Sequence, residues 1–170
     1  MSHTVESRAM SAPYAQYVGN LDAVDVLRTS LDDYAHLMPR FTPAIWDQPW
    51  APDKWTVRQI MVHVAQWEMI FGIRVLCAVA APAYTVQPMD QDELMRVQGD
   101  LVDGPSAWAA FSGARRMNLA LAQSLTKADR QRHISHPEKG QIDVEYLLVT
   151  LAGHSVHHYR QLAPLVARAS

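Results

Sequence analysis

Apolar residues recur at helical spacing along four stretches of the chain, and no stretch of any length shows the alternation of a half-buried strand. Leu21, Val24, Leu27, Leu31, Tyr34 and Leu37 or Met38 form the first stripe. They predict a helix that begins at Pro13 or Asn20, runs to about Met38 and is stopped by Pro39 and Pro43. A second helix is predicted from Thr56 to about Ala81. Thr56 and Gln59 have the spacing of a capping box, and Trp55 and Ile60 that of a hydrophobic staple. Gly104-Pro105 opens a third, with Pro in the first turn and Trp108, Phe111, Ala114, Leu121 and Leu125 inward. Asp143 is the predicted cap of the fourth, where Glu145 favours the positive end of the helix dipole. That helix should reach about Ala163, with Pro164 ending or kinking it.

The connections are predicted by what interrupts these stripes. Residues up to about Ala12 read as a loose tail. The stretch from Trp46 to Trp55 holds Trp46, Trp50 and Trp55 among prolines, too apolar for a solvated loop, so it should pack over one end of the helices. Pro82 to Gly104 should cross the molecule with a short helix around Asp90–Val97, and Lys127 to Gln141 should be loop. The expectation is an all-α, antiparallel four-helix bundle with a short extra helix in the crossover, one domain spanning residues 1–170.

Composition narrows the function classes more than the fold. The net charge is -2 with acids and bases mixed along the chain, and no basic run marks nucleic acid as a partner. A single cysteine, Cys77, excludes an internal disulfide and a multi-cysteine zinc site. It lies fourteen residues from His63, about 21 Å along one helix, and reads as an ordinary buried small residue rather than a ligand. The longest uninterrupted apolar run, Val75 to Pro82, is too short to span a bilayer, and Met1 to Glu6 lacks the pattern of a signal peptide. No membrane partner and a cytoplasmic location are expected.

The chemistry gathers in Leu151-Ala-Gly-His154-Ser-Val-His157-His158-Tyr-Arg-Gln161. His154, His158 and Gln161 share one helical face with the core residues Leu147, Leu151 and Leu165. His63 falls on the apolar stripe of the second helix with Ile60, Val64, Trp67 and Phe71. A lone buried histidine is usually hydrogen-bonded to a carbonyl, but three on facing stripes favour a divalent metal on three nitrogens, with coordination positions left open as in catalytic sites. Ser155 stands where a zinc protease carries its Glu, so the protease reading is unsupported. His157, on the inner flank, is the candidate base, or it faces a neighbouring helix. Gln161 is the candidate partner for the outer N–H of a ligating ring, or it satisfies backbone. Glu68 is turned away from His63 and is no obvious ligand. His136, in a loop before Pro137, could approach the site but is expected at the surface, and His3, His36 and His133 carry no role.

Lys54-Trp55-Thr56-Val57-Arg58-Gln59-Ile60, with His63-Val64 and Trp67-Glu68, resembles the second-helix signature of the DinB/YfiT-like bundles. His136-Pro137 and Gly140, followed by Leu151-Ala-Gly-His154 and His157-His158-Tyr-Arg-Gln161-Leu162, are similar to their C-terminal signature. The resemblance covers essentially the whole chain. It implies a four-helix bundle holding a divalent metal on His63, His154 and His158, with nickel, zinc or manganese as the family's metals. It also implies a homodimer, and its members include low-molecular-weight-thiol transferases and a thiol-dependent isomerase, although no residue named in this sequence selects the thiol cofactor.

Three functions follow. The first is a metal-dependent enzyme that delivers a nucleophile to a small electrophile, with thiol S-transfer preferred over hydrolysis on the resemblance alone. A metal-dependent hydrolase is the alternative, and it needs a general base. The third is a non-catalytic metal-binding or stress-response module. Imidazole ligands suit zinc and nickel, with iron and manganese also open.

Overall fold

The computed structural model describes residues 11–167. Most of the predicted tail lies outside these residues, but Ala12 is already buried in the core. A short 3-10 turn, Ala15–Tyr17, precedes helix α1 (Ala23–Leu37), which Asp22 caps by accepting from the Val24 N–H. The helix starts later than its stripe suggested, so Leu21 lies before it and is exposed. Thr42 caps the single turn α2 (Pro43–Trp46). The capping box of Thr56 and Gln59 is present and opens α3 (Val57–Ala80). The crossover carries α4 (Gln91–Gln98), close to the predicted short helix. Asp103 caps α5 (Gly104–Ser124), and α6 (Lys127–Arg130) is one turn closed by its own capping box.

The segment from Lys127 to Gln141 is not the loop its sequence predicts. Besides α6 it holds an antiparallel hairpin, β1 (His133–His136) and β2 (Gly140–Asp143). Ile134 pairs with Ile142, and both are buried, so each four-residue strand places only one apolar side chain inward. That is too little alternation to stand out in sequence. Gly140, at φ 70°, takes the left-handed turn conformation that glycine adopts without a Cβ clash. Residues Tyr84 and Val86 of the crossover hydrogen-bond to Ser135, which ties the hairpin to the bundle.

Asp143 then caps α7 (Val144–Ala167) by accepting from the Tyr146 N–H at 2.8 Å. The helix does not end at Pro164. A proline there removes one intrahelical bond, and burial of Leu162, Leu165 and Val166 holds the last turn in place.

The long helices α1, α3, α5 and α7 form the bundle, with α3 packed between α5 and α7, and α1 between α7 and α5. Glu68 meets Arg115 and Gly72 meets Asn118, so α3 and α5 run in the same direction. The buried residues at each end of the bundle show α1 and α7 running together the opposite way. Parallel neighbours need a long crossover, which explains the segment between α3 and α5. Helix α3 is long and apolar enough to cross a membrane by composition, but 67% of its most apolar window is buried within the bundle, as in a core helix. Its outward stripe is Met69, Ile73 and Leu76.

One polar network ties all four helices at mid-height. Arg115 and Glu68, both fully buried, form a two-pronged ion pair: Nε donates to Oε1 at 2.8 Å and Nη2 to Oε2 at 2.7 Å. Arg115 Nη1 also donates to the Leu27 carbonyl and Ser30 Oγ of α1, and Nη2 to Ser155 Oγ of α7. Asn118 adds donors to the Glu68 carboxylate and carbonyl, and a Cβ on Gly72 would collide with its amide. Removing one partner leaves a buried charge alone. Arg115→Met or Glu68→Gln should lower unfolding free energy in urea by about 3–5 kcal/mol, with part recovered in the doubly apolar variant. Single variants as stable as the parent would show that the network carries no such charge penalty.

Candidate metal centre

Helix α3 supplies His63 and helix α7 supplies His154 and His158, one turn apart. All three are buried. Their Nε2 atoms converge: His154 lies 2.9 Å from His63 and 3.1 Å from His158. Trp55 and Trp67 pack against the His63 ring, at centroid distances of 5.0 and 6.1 Å. Burial is the main reason all three stay neutral. The His63 pKa is pushed down to about 3 and that of His158 to about 4, and His154 falls well below its ordinary value.

The protons show what this arrangement fits. Gln161 Oε1 accepts from His158 Nδ1 at 2.7 Å, so the Nε2 of that ring presents a lone pair inward. A single N–H on His154 Nε2 cannot serve both of its neighbours well. His63 Nδ1 is buried with no hydrogen-bond partner among the described residues. Four ligands at 2.0–2.1 Å around a tetrahedral ion stand about 3.3 Å apart, close to the spacings seen here. The three histidines, with ligand atoms all within 4.8 Å of one another, therefore fit a divalent metal with positions left open.

The remaining expected site residues fall in distinct places. Gln161 bridges His158 and His157, with its Nε2 3.3 Å from His157 Nε2. His157 is half-buried, stacks beside Tyr14 and Tyr17 and lies 3.2 Å from the Tyr17 hydroxyl. It thus faces the N-terminal 3-10 turn and braces Gln161. Gly153 permits this packing, because a Cβ there would strike the Tyr14 carbonyl. Glu68 is not a ligand but half of the ion pair, and Cys77 is half-buried rather than buried.

A cavity of about 230 Å³ opens on the His154 side. Trp67, Phe71, Leu147 and Tyr14 give it apolar walls, and Arg74 and His136 add polar edges. His136 is therefore half-buried at this cavity, not a plain surface residue. Burial and the charges of Lys139 and Arg74 lower its pKa. His157 does not line this cavity.

Sequence reading missed Arg115 and Arg74. Arg115 falls at helical spacing between Phe111 and Leu119, a stripe that would have marked it as inward. Arg74 follows Trp67 and Phe71 at the same spacing.

The DinB superfamily model matches residues 27–162. A protein of Oceanobacillus iheyensis named "Putative metal-dependent hydrolase" is 25% identical over 114 residues, covering 67% of this chain and 66% of that one. A protein of the same name from Bacillus mycoides is 25% identical over 72% of this chain and 70% of its own length. Among solved structures, YfiT from Bacillus subtilis, described as "a probable metal-dependent hydrolase with an unusual four-helix bundle topology", superposes with a TM-score of 0.77. It is 24% identical, over 86% of this chain and 85% of that one. TT2238, a four-helix bundle protein, matches with a TM-score of 0.57 at 20% identity, over 84% and 96% of the two chains. At these identities the structures bear on the fold alone.

Burial of neutral imidazoles makes metal-free stability depend on pH. The unfolded chain takes up protons near the ordinary histidine value of 6.5, whereas folded His158 and His63 wait until about 4 and 3. The unfolded state thus binds more protons between these values, and stability falls as pH drops below 6.5. The unfolding free energy of the metal-free protein, measured by urea titration, should decline from about pH 7 to pH 5, at up to about 4 kcal/mol per pH unit if all three rings contribute. A flat profile across that window would contradict the buried neutral trio.

Proposed function

The chain belongs to the DinB superfamily, and we propose that it is a metal-dependent enzyme of the thiol S-transferase type, acting on small electrophiles. The observation that carries this reading is the convergence of three imidazole nitrogens, one of whose rings, His154, also lines the cavity. When bound, a divalent ion such as zinc or nickel supplies Lewis acidity that lowers the pKa of a coordinated thiol or water.

The protein's own residues set the conditions. His63, His154 and His158 stay neutral and so keep their lone pairs for a ligand down to mildly acidic pH. Gln161, braced by His157, fixes the His158 tautomer with Nε2 inward. Trp67, Phe71 and Leu147 exclude water from the substrate's apolar body. Transfer then requires the thiolate sulfur to bond to the electrophilic carbon while the leaving group departs with its electron pair. The thiol proton goes to solvent, and no protein base is required.

Hydrolysis is the second reading, favoured by the names of the curated relatives and by His136. His136 lines the cavity as an imidazole whose pKa is lowered, and this reading would draw its base from that residue. The metal-loaded protein should release chloride from chlorodinitrobenzene only when a low-molecular-weight thiol is present, with turnover at background in His63→Ala. Thiol-independent cleavage of nitrophenyl acetate, lost in His136→Ala, would establish the second reading instead. Neither activity from fully loaded protein against a panel of electrophiles would overturn both.

A further inference from the structure

Two arginines are buried among the described residues, and they are treated differently. Arg115 is neutralised by a carboxylate and has further acceptors on two other helices. Arg74 is also buried, at 6% exposure, yet has no carboxylate partner among the described residues. Its one hydrogen bond there runs from Nη2 to the Gln87 carbonyl, at 2.8 Å. A guanidinium carries five N–H donors, and this one lines the cavity.

Its position on α3 gives the cavity a direction. His63, Trp67, Phe71 and Arg74 share one helical face, spaced so that their directions differ by no more than about 80°. Side chains on a helix lean toward its N-terminus. The Arg74 guanidinium does so, lying 5.5 Å from the Phe71 ring centroid and 5.7 Å from that of Trp67. Trp67 in turn stands edge-on to His154, 6.3 Å away. One wall of the cavity thus passes from an imidazole of the metal centre, across two aromatic rings, to a fixed cation. At the rim Lys139 and Glu138 are both exposed and opposite in charge, so the buried cation is Arg74.

We propose that this cavity takes a small substrate with a carboxylate-type anionic group, which Arg74 receives while the apolar body lies against Trp67 and Phe71 and the reacting carbon faces the His154 end. The inference rests on the site's being the place where substrate binds, and it names the substrate class for that reading. The guanidinium is held in place by Gln87 and the rings, so little ordering cost remains when the anion arrives. A planar fork also selects a planar carboxylate over a neutral amide of the same shape.

The test is binding rather than turnover. Phenylacetate and its neutral isostere phenylacetamide are titrated into the full chain by calorimetry, both as purified and after chelation. The expected result is at least about tenfold tighter binding of the carboxylate in both states. That preference should collapse to near unity in Arg74→Met and survive in part in Arg74→Lys. Equal binding of the two probes by the parent protein overturns the proposal, whether or not any variant folds. A carboxylate preference seen only in metal-loaded protein and retained in Arg74→Met also overturns it, because the anion then sits on the metal. Failure of the metal reading is recognised separately: it leaves the Arg74-dependent preference intact in protein that takes up no metal.

Discussion

A guanidinium and a carboxylate at the centre of a helical bundle are tolerable only if each finds the other with good geometry, and here they do. Glu68 and Arg115 meet in a two-pronged pair with no solvent contact. The remaining Arg115 donors reach α1 through Leu27 and Ser30, and α7 through Ser155. Because a partner lost from such a pair leaves an expensive lone charge, the four helices are held in one mutual register at this level. Ser155 is the neighbour of His154, and its carbonyl accepts from the buried Tyr34 hydroxyl. The segment bearing two of the three histidines is therefore pinned beside the metal centre by a network that coordinates nothing itself.

The metal centre inverts that logic. Three imidazoles are buried without counter-charges, and their inward nitrogens face one another rather than carbonyl acceptors. One proton cannot satisfy the whole cluster, and His63 Nδ1 has no partner among the described residues. The ion pair is complete within the protein; the histidine trio is completed by something the protein binds. Support from below is also uneven, since the chain from Tyr17 through His157 and Gln161 fixes His158, while His63 is held by the packing of Trp55 and Trp67.

Much of this was legible in the sequence for identifiable reasons. The stripes of α1, α3, α5 and α7 were strong because apolar residues recur at helical spacing wherever these helices pack on one another, and Thr56, Gln59 and Asp143 announced their caps by side-chain chemistry. His63, His154 and His158 stood out because a polar residue on an apolar stripe demands an explanation. The hairpin did not, since its strands bury only Ile134 and Ile142. Pro164 did not end its helix because a single lost bond is outweighed when the last turn is buried. Arg115 and Glu68 escaped because pairing across two helices is a property of three-dimensional register, which no one-dimensional period contains. The parallel course of α3 and α5 follows from that same register.

Any chemistry at this centre depends on the three histidines holding a metal. The most direct test is elemental analysis of the purified, untagged protein beside His154→Ala, with circular dichroism to confirm that both are folded. About one divalent metal per chain in the parent, absent from the folded variant, is the predicted result. No metal in either protein, with none taken up on addition of zinc, nickel, manganese or iron, would contradict it and leave the trio as a hydrogen-bonded core cluster.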